Sequence, residues 1–291
     1  MRGARWLIDS LRDKLPFDKS LGQHFLVNDE LLTRAIELGE VTADDHVLEI
    51  GPGPGVLTEA LLATGCQVTA IEIDPVAVTH LKEAFRPEIK SGNFTILEGD
   101  ALKEKWPDSL SKVIANIPYQ ISSPLVEELT RYLRNPRTQE LQKVVLLVQE
   151  EFAERLVMEY ESDVGSLGMT VALDWDSEIE EKIPPHNFSP MPKVNSCYIS
   201  MEPHGEEWPC DVRLVRQMIH LAFDQRRKKL RSTLKNVPRR LSRVKGWHAG
   251  RWKQAFAGHL EDERMERRPD ELELDDWVDL CCSFTDFAGD S

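Results

Sequence analysis

Glycines and carboxylates occur at three points of the chain where a nucleoside could be bound. The segment V-L-E-I-G-P-G-P-G-V-L-T, residues 47–58, places glycines directly after a β-favouring run and before a helical pattern. Glycine lets the backbone turn tightly and approach a ligand without a Cβ in the way. Glu72 follows Gly51 by 21 residues, the distance at which a doubly wound fold places a carboxylate on a ribose hydroxyl. Asp100, in E-G-D-A after the next β-rich run, is a second candidate of this kind.

The spacing of the glycines separates two classes of nucleoside-binding enzyme. A dinucleotide fingerprint requires G-x-G-x-x-G, and Val56 occupies the position of its third glycine. The pattern E-x-G-x-G-x-G instead resembles motif I of the S-adenosylmethionine-dependent methyltransferases, which favours a methyltransferase over a dehydrogenase. Read alone, the glycines could merely form a turn, with Glu72 and Asp100 exposed to solvent. The correct spacing of both carboxylates disfavours that simpler interpretation.

The tetrapeptide Asn116-Ile117-Pro118-Tyr119 follows another predicted strand and suits the activation of an aromatic amine. The exocyclic amino nitrogen of adenine is a poor nucleophile because its lone pair is delocalised into the ring. The Asn116 side-chain oxygen and a nearby main-chain carbonyl can accept hydrogen bonds from that amine and localise the lone pair. Tyr119 can stack on the base, which is worth about 1–3 kcal/mol, while Pro118 fixes φ. The alternative is a proline turn in which Asn116 caps a helix near Ser122.

Short β-rich runs alternate with helical patterns between about residues 28 and 150. Such alternation predicts an α/β fold with a parallel sheet and helices on both faces. After Gly165, two further extended segments flank a proline-rich loop, and beyond Pro209 the chain becomes helical and strongly charged. The predicted strands are His46–Ile50, Gln67–Ile73, Phe94–Leu97, Lys112–Ala115 and Lys143–Val148, and the predicted helices lie near 56–64, 75–85, 122–134 and 149–160.

The charge of the chain is distributed unevenly. The net charge of -14 argues at first against a nucleic-acid partner, because phosphate backbones attract Lys and Arg. Residues 225–260, however, contain twelve Lys and Arg and no acid, whereas the remainder carries 24 basic and 50 acidic residues. A solvated helix face usually explains such a run. Its concentration on one appendage instead favours an RNA-binding surface, for which we expect contacts from Arg226, Arg227, Lys228, Lys229 and Arg231.

Composition excludes several other classes of protein. Charges interrupt the apolar residues near the N-terminus, so a signal-peptide core is not predicted. The longest aliphatic run, Val144 to Val148, is far shorter than the ~20 residues of a membrane span. The five cysteines include no C-x-x-C pair, which is typical of reduced thiols and not of a disulfide framework or a zinc site. We therefore expect a cytoplasmic protein that binds neither a membrane nor a metal.

Seven segments, in the same order, make the chain resemble the small-subunit ribosomal RNA adenine N6,N6-dimethyltransferases, the KsgA-type family. The resemblance implies a class I S-adenosylmethionine-dependent methyltransferase fold, which is Rossmann-like with a mostly parallel seven-stranded sheet and a small C-terminal helical domain. It also implies a catalytic domain over 1–208 and a helical RNA-binding domain over 209–291, with no role for residues 1–18. The segments are K-S-L-G-Q-H-F-L (19–26), E-I-G-P-G-P-G-V-L-T (49–58), I-E-I-D (71–74), E-G-D-A (98–101), A-N-I-P-Y-Q-I-S-S-P (115–124), N-F-S-P-M-P-K-V-N-S (187–196) and A-F-D-Q-R-R-K-K-L-R (222–231).

The resemblance also implies a role for individual residues. Asn116 and Tyr119 match the catalytic motif, and Phe188 matches the aromatic that sandwiches the target base opposite Tyr119. Without the resemblance, His24 would be read as a surface histidine and Phe188 as a core aromatic. The residues expected to bind S-adenosylmethionine are Gln23, His24, Leu26, Gly51, Gly53, Glu72, Asp100, Ala101 and Asn116.

The substrate implied by the resemblance is a pair of adjacent adenines in the 3′-terminal hairpin loop of small-subunit rRNA. An adenine inside a duplex could not reach the pocket, so the base must come from an exposed loop or be flipped out. Each adenine would receive two methyl groups within an immature subunit, from an enzyme that is a monomer. Gln120, where many bacterial members carry Asn, favours the archaeal and eukaryotic branch.

Two other functions remain compatible with parts of the sequence. An RNA-binding ribosome-assembly factor could keep this fold without needing catalysis, although a pure binding protein gains nothing from an intact N-I-P-Y. A small-molecule N-methyltransferase would share the glycine loop but would not need the basic helical appendage.

Overall fold

Seven strands form one sheet among the residues that the structure describes. The computed structural model describes residues 3–13, 24–138, 141–205 and 207–287. Two further short strands, β1 and β8 below, form a separate antiparallel pair. In chain order the strands are β1 Phe25–Leu26, β2 His46–Ile50, β3 Gln67–Glu72, β4 Phe94–Glu98, β5 Lys112–Asn116, β6 Lys143–Gln149, β7 Trp175–Ile183, β8 Phe188–Ser189 and β9 Ser196–Pro203.

Helices follow most of the strands, as the alternating sequence pattern predicts. The first, α1, lies within the N-terminal extension. Its buried Leu7, Ile8 and Leu11 pack it against helices α3 (Val56–Ala63) and α4 (Pro75–Ala84). The helices are α1 Ala4–Arg12, α2 Asp29–Leu38, α3 Val56–Ala63, α4 Pro75–Ala84, α5 Arg86–Ser91, α6 Ser122–Leu133, α7 Glu150–Val157, α8 Ser166–Val171, α9 Val212–Phe223, α10 Leu230–Thr233, α11 Ala249–Gly258 and α12 Leu274–Phe287.

The sheet has the order β4-β3-β2-β5-β6-β9-β7 and is mostly parallel. Strands β2 to β6 pair in parallel, and β9 joins β6 antiparallel. The run Val144–Val148 of β6 is fully buried, as expected for a strand covered on both faces. The five strands predicted up to residue 148 are confirmed within one residue at each end, and the predicted seven-stranded α/β fold is confirmed.

The strand order reverses beside β2, which pairs with β3 on one side and β5 on the other. In open α/β sheets a crevice forms at this point, outside the carboxyl ends of the strands. The glycine loop follows β2, Glu72 ends β3, and Asn116 ends β5. The topology therefore brings three separate sequence motifs to one edge of the sheet.

The chain divides into two compact units. The sheet unit comprises Met1–Glu154 and Asp176–Pro203, and the helical unit comprises Arg155–Trp175 and His204–Ser291. This division differs from the predicted domains in two segments: residues 155–175, and residues 204–208 at the predicted boundary. Met169 and Leu173 of the first segment lie in the apolar core of the helical unit. Burial of those side chains, which the local sequence pattern does not specify, places the first segment with the C-terminal helices.

The helical unit has a core rich in aromatic side chains. Trp252, Trp277 and Phe284 are fully buried, and the ring centroids of Trp252 and Phe284 lie 5.4 Å apart. Within the described ranges, none of the helices combines the length and apolar character required to cross a membrane. The same residues contain no group of three His, Cys, Asp or Glu side chains placed to hold a metal ion.

Candidate functional site

A cavity of about 270 Å³ lies in the sheet unit at the carboxyl ends of the central strands. It brings together residues from the segment before α2, the glycine loop, the ends of β3 and β4, and the tetrapeptide after β5. The predicted site residues that line it are His24, Leu26, Gly51, Gly53, Glu72, Asp100, Ala101, Asn116 and Tyr119. Gln23 lies outside the described residues, and Phe188 is not among the residues that line the cavity.

The glycine loop adopts a backbone conformation that other residues rarely tolerate. Gly51, Gly53 and Gly55 have φ angles of 66°, 54° and 84°, in the left-handed region that favours glycine. A Cβ on Gly53 would lie 2.7 Å from Cε1 of Phe25. The loop can therefore adopt this conformation only with glycine at these positions. Such a loop is expected where the main chain approaches a nucleoside closely.

Glu72 is held at the mouth of the cavity by main-chain donors. The N–H of Gly53 donates to its Oε2 and the N–H of Asp74 donates to its Oε1, both at 2.9 Å. The side chain is buried, and burial raises the pKa of the Glu72 carboxyl, although the backbone hydrogen bonds oppose the shift. Each carboxylate oxygen keeps a second acceptor position. The group can therefore accept hydrogen bonds from the two hydroxyls of a ribose.

Asp100 is fixed in a similar way at the next strand end. The N–H of Leu102 donates to its Oδ1 at 3.0 Å, and Lys103 Nζ lies 2.9 Å from its Oδ2. The Lys103 hydrogen bond, followed by that of Leu102, lowers the pKa of Asp100. This carboxylate is thus an ionised acceptor, which suits an exocyclic amine of a bound base.

Asn116 ends β5, and its side-chain amide is oriented by the main chain. Its Nδ2 donates to the carbonyl oxygen of His24 at 3.3 Å. Because the nitrogen is the donor in this contact, the oxygen Oδ1 is the atom that remains to accept a hydrogen bond from a ligand. The pocket therefore presents an amide acceptor beside a ring that can stack on a base.

That ring belongs to Tyr119, which is held at both its hydroxyl and its face. The Tyr119 hydroxyl lies 2.9 Å from Ser196 Oγ. The imidazole of His24 stacks on the phenol ring with the centroids 5.9 Å apart and an interplanar angle of 24°. His24 Nδ1 in turn lies 2.8 Å from the carbonyl oxygen of Pro190, to which it donates. The predicted cofactor residue His24 is therefore also an aromatic neighbour of Tyr119.

Phe188 lies in the short β1–β8 pair, and its role opposite Tyr119 stays a prediction. It pairs with Leu26 across the β1–β8 ladder, is 4% exposed and lies in the apolar core. This position corresponds to the core aromatic that the residue type alone suggests. In the described structure His24 is the aromatic group whose ring stacks on Tyr119.

Glu49 is a residue of the pocket that the sequence analysis did not select. It is 1% exposed, and the hydroxyl of Thr58 donates to its Oε2 at 2.6 Å. Burial, with a smaller contribution from the nearby Glu72 charge, raises the pKa of Glu49 to about 8. A carboxyl within the otherwise apolar strand V-L-E-I was the signal that could have identified it.

The raised pKa of Glu49 predicts a pH-dependent stability. Between about pH 4.5 and pH 8 the folded protein keeps a proton that the unfolded chain has lost. The free energy of unfolding should therefore fall as pH rises through this window, by about 1 kcal/mol per pH unit from this group. Urea denaturation across the window should show a flatter dependence for Glu49→Gln. Glu98→Gln, at an exposed carboxyl, is the control, and equal slopes in both variants would contradict the assignment.

The basic residues of the helical unit are partly neutralised by acids distant in sequence. Arg226 Nε lies 3.0 Å from Asp270 Oδ2, and the Lys229 and Arg231 side chains both reach Glu266, at 2.7 and 2.5 Å. Arg227 and Lys228 are exposed and make no ion pair with any other residue in the described part of the chain. Of the five predicted RNA contacts, two are therefore free of a described counter-charge.

Comparison with known proteins agrees with these features. A model of the family "Ribosomal RNA adenine dimethylase" matches residues 15–245. The ribosomal RNA small subunit methyltransferase A of Synechococcus elongatus is 33% identical, over 94% of this chain and 96% of its own. The probable methyltransferase A of Haloarcula marismortui is 38% identical, over 76% and 75%.

Solved structures show the same relationship. A dimethyladenosine transferase from Plasmodium falciparum superposes with a TM-score of 0.75 at 26% identity, covering 91% of this chain and 98% of that one. The 23S rRNA methyltransferase ErmE shares the fold, with a TM-score of 0.62 at 24% identity and coverage of 89% and 99%. With its glycine loop, paired carboxylates and oriented Asn116 in one cavity, the chain belongs to the ribosomal RNA adenine dimethylase family.

Proposed function

We propose that the protein transfers methyl groups from S-adenosylmethionine to the N6 of two adjacent adenines in the 3′-terminal hairpin loop of small-subunit rRNA. The observation that carries this proposal is Asn116, whose amide nitrogen is bound to the His24 carbonyl so that its oxygen can accept from an amine. The names of the relatives, which are small-subunit rRNA methyltransferases and a dimethyladenosine transferase, support the same reaction.

The cavity residues fit the cofactor. S-adenosylmethionine supplies an electrophilic methyl group on a sulfonium centre. Glu72 accepts from the ribose hydroxyls, Asp100 accepts from the exocyclic amine of the cofactor's adenine, and Ala101 packs beside that ring. Gly51 and Gly53 let the main chain approach the nucleoside. Leu26, His24 and Gln23, together with Asn116, complete the proposed binding set.

The target adenine is activated by position and not by a strong base. Asn116 Oδ1 accepts one hydrogen from the N6 amine, which localises the nitrogen lone pair and aims it along one direction. Tyr119 stacks on the base, worth about 1–3 kcal/mol. Holding two reactants in line can supply roughly 7–11 kcal/mol of the barrier reduction. Phe188, which pairs with Leu26 across β1–β8, is proposed to take the opposite face of the base.

The same proposal includes the cellular location, the oligomeric state and the binding partner of the enzyme. The protein acts in the cytoplasm as a monomer on an immature small subunit, with Arg226, Arg227, Lys228, Lys229 and Arg231 of the helical unit among its RNA contacts. The reaction needs neither a metal nor a membrane. Cyanobacterial and haloarchaeal proteins are both similar to this chain, so the relatives do not distinguish the branches. The proposal that the protein belongs to the archaeal and eukaryotic branch therefore rests on Gln120 alone.

The proposed function is tested by supplying labelled cofactor and small subunits that lack the modification. We expect label in the small-subunit rRNA, and N6,N6-dimethyladenine after digestion and mass spectrometry. Subunits that already carry the modification are the control and should accept no label. Absence of transfer to unmodified subunits, with cofactor binding intact, would instead favour an assembly factor that binds RNA on this fold.

A further inference from the structure

Five cations of the helical unit lie close together in sequence and lack a described counter-charge. They form one short segment, which we call the basic ridge, after α10. All five side chains are exposed, and none makes an ion pair or hydrogen bond with another side chain that the structure describes. The ridge consists of Lys235, Arg239, Arg240, Arg243 and Lys245.

The backbone of the ridge separates its charges from the core. Consecutive tight turns run through it, with main-chain hydrogen bonds from Leu241 to Pro238, from Val244 to Leu241 and from Trp247 to Val244. The side chains at these turns are spaced by three residues and are all buried: Pro238, Leu241, Val244 and Trp247. Because turns of this kind repeat about every three residues, the cations between them are all directed to solvent.

Arg251 holds the end of the ridge in place. Its guanidinium lies 4.5 Å from the centroid of the Trp247 ring and donates to the carbonyl oxygens of Gly246 and Thr285 at 3.0 and 3.3 Å. The segment is thus attached to the core at its buried turns and at its C-terminal end. The ridge therefore presents its charges from a fixed main chain, so little backbone order has to be gained on binding.

The other basic cluster differs in its surroundings. Glu266 and Asp270 already supply counter-charges to Lys229, Arg231 and Arg226. A phosphate must compete with those carboxylates at three of the five cations of that cluster, Arg227 and Lys228 being the other two, whereas all five cations of the ridge are unpaired among the described residues. Arg pairs with phosphate through two parallel hydrogen bonds, and three of the five ridge residues are Arg.

We propose that the basic ridge is the main site at which the helical unit binds the phosphate backbone of rRNA. This inference rests on the proposed function, and it moves the dominant contact from residues 226–231 to residues 235–245. The ligand is an RNA strand that presents several phosphodiester groups, and not a single phosphate, because the cations are distributed over eleven residues of chain.

The test compares two triple variants that change the net charge equally. The ridge variant is Arg239→Gln, Arg240→Gln and Arg243→Gln, and the matched comparison variant is Arg226→Gln, Arg227→Gln and Lys228→Gln, which removes both cations of that cluster that lack a described counter-charge. Binding to unmodified small subunits is measured between 0.05 and about 0.3 M salt. Each lost phosphate contact removes about 0.7–0.9 from the slope of log K against log salt. We expect the ridge variant to lose about 2 in slope and about 100-fold in affinity near 0.1 M salt, and the comparison variant several-fold less.

Methyl transfer distinguishes the failure of this inference from that of the proposed function. The ridge variant should raise KM for subunits while kcat, the cofactor affinity and the melting temperature stay within about two-fold or two degrees of wild type. Equal losses in both triple variants, or an unchanged salt slope in the ridge variant, would overturn the ridge as the main contact. If wild type itself transfers no methyl group, the proposed function fails; the salt slopes still decide the role of the ridge.

Discussion

Asn116→Ala should abolish measurable methyl transfer while cofactor affinity stays within a few-fold of wild type. In the proposed mechanism the amide oxygen of Asn116 accepts from the N6 amine; without it the nitrogen lone pair is no longer localised or aimed. Loss of one preorganised polar group at a reacting centre typically costs about 10²–10³-fold in rate. Single-turnover transfer to unmodified subunits, together with calorimetric titration of cofactor, measures the two effects separately.

Two further variants show whether the oxygen or the nitrogen of Asn116 matters. Asn116→Asp keeps an acceptor oxygen but loses the donor to the His24 carbonyl, so it should retain more transfer than the alanine variant if acceptance is the essential role. Gln120→Asn changes an exposed amide of the same motif and should stay within a few-fold of wild type. If Asn116→Ala loses cofactor binding by several kcal/mol, the residue has been misassigned.

Glu72→Gln is expected to weaken cofactor binding by about 10–100-fold. Hydrogen bonds to a charged group are worth about 1.5–3 kcal/mol. The carboxylate accepts from the N–H groups of Gly53 and Asp74, and in the proposed complex it accepts from the ribose as well. A glutamine places an NH₂ donor against one of those main-chain donors, so it cannot keep all of the contacts. Calorimetric titration of the free enzyme gives the change directly.

Asp74→Asn is the matched control for the Glu72 variant. Asp74 lies in the same turn and its Oδ1 accepts from the N–H of Val76 at the start of α4. Asparagine caps a helix about as well as aspartate, so cofactor affinity and stability should both change little. Comparable affinity losses in the two variants would mean that the turn as a whole, and not the Glu72 carboxylate, determines binding.

Much of the site could be predicted because its elements are local in sequence. Short apolar runs such as Val144–Val148 predict strands. The left-handed backbone of Gly51, Gly53 and Gly55 requires glycine at those positions. Parallel pairing then places the carboxyl ends of β2, β3 and β5 at one edge. Glu72 and Asn116 therefore meet in one cavity for reasons visible in the residue types and their spacing.

Contacts between distant segments could not be predicted in the same way. Nothing local in the sequence indicates that Phe188 pairs with Leu26, or that the His24 ring stacks on Tyr119. Similarly, nothing local indicates that residues 155–175 pack with the C-terminal helices. Each of these outcomes depends on which of several apolar surfaces is buried, and burial is a property of the whole chain.

The net charge shows the same division between sequence and tertiary structure. The amino-acid sequence is enough to predict the α/β fold, the glycine loop and the family, and it shows twelve basic residues between positions 225 and 260. Which of those charges are compensated depends on the folded chain, since Glu266 and Asp270 approach Arg226, Lys229 and Arg231 from a later segment. The physical reason is that electrostatic interaction depends on distance in space, and a composition or a run of residues records only distance along the chain.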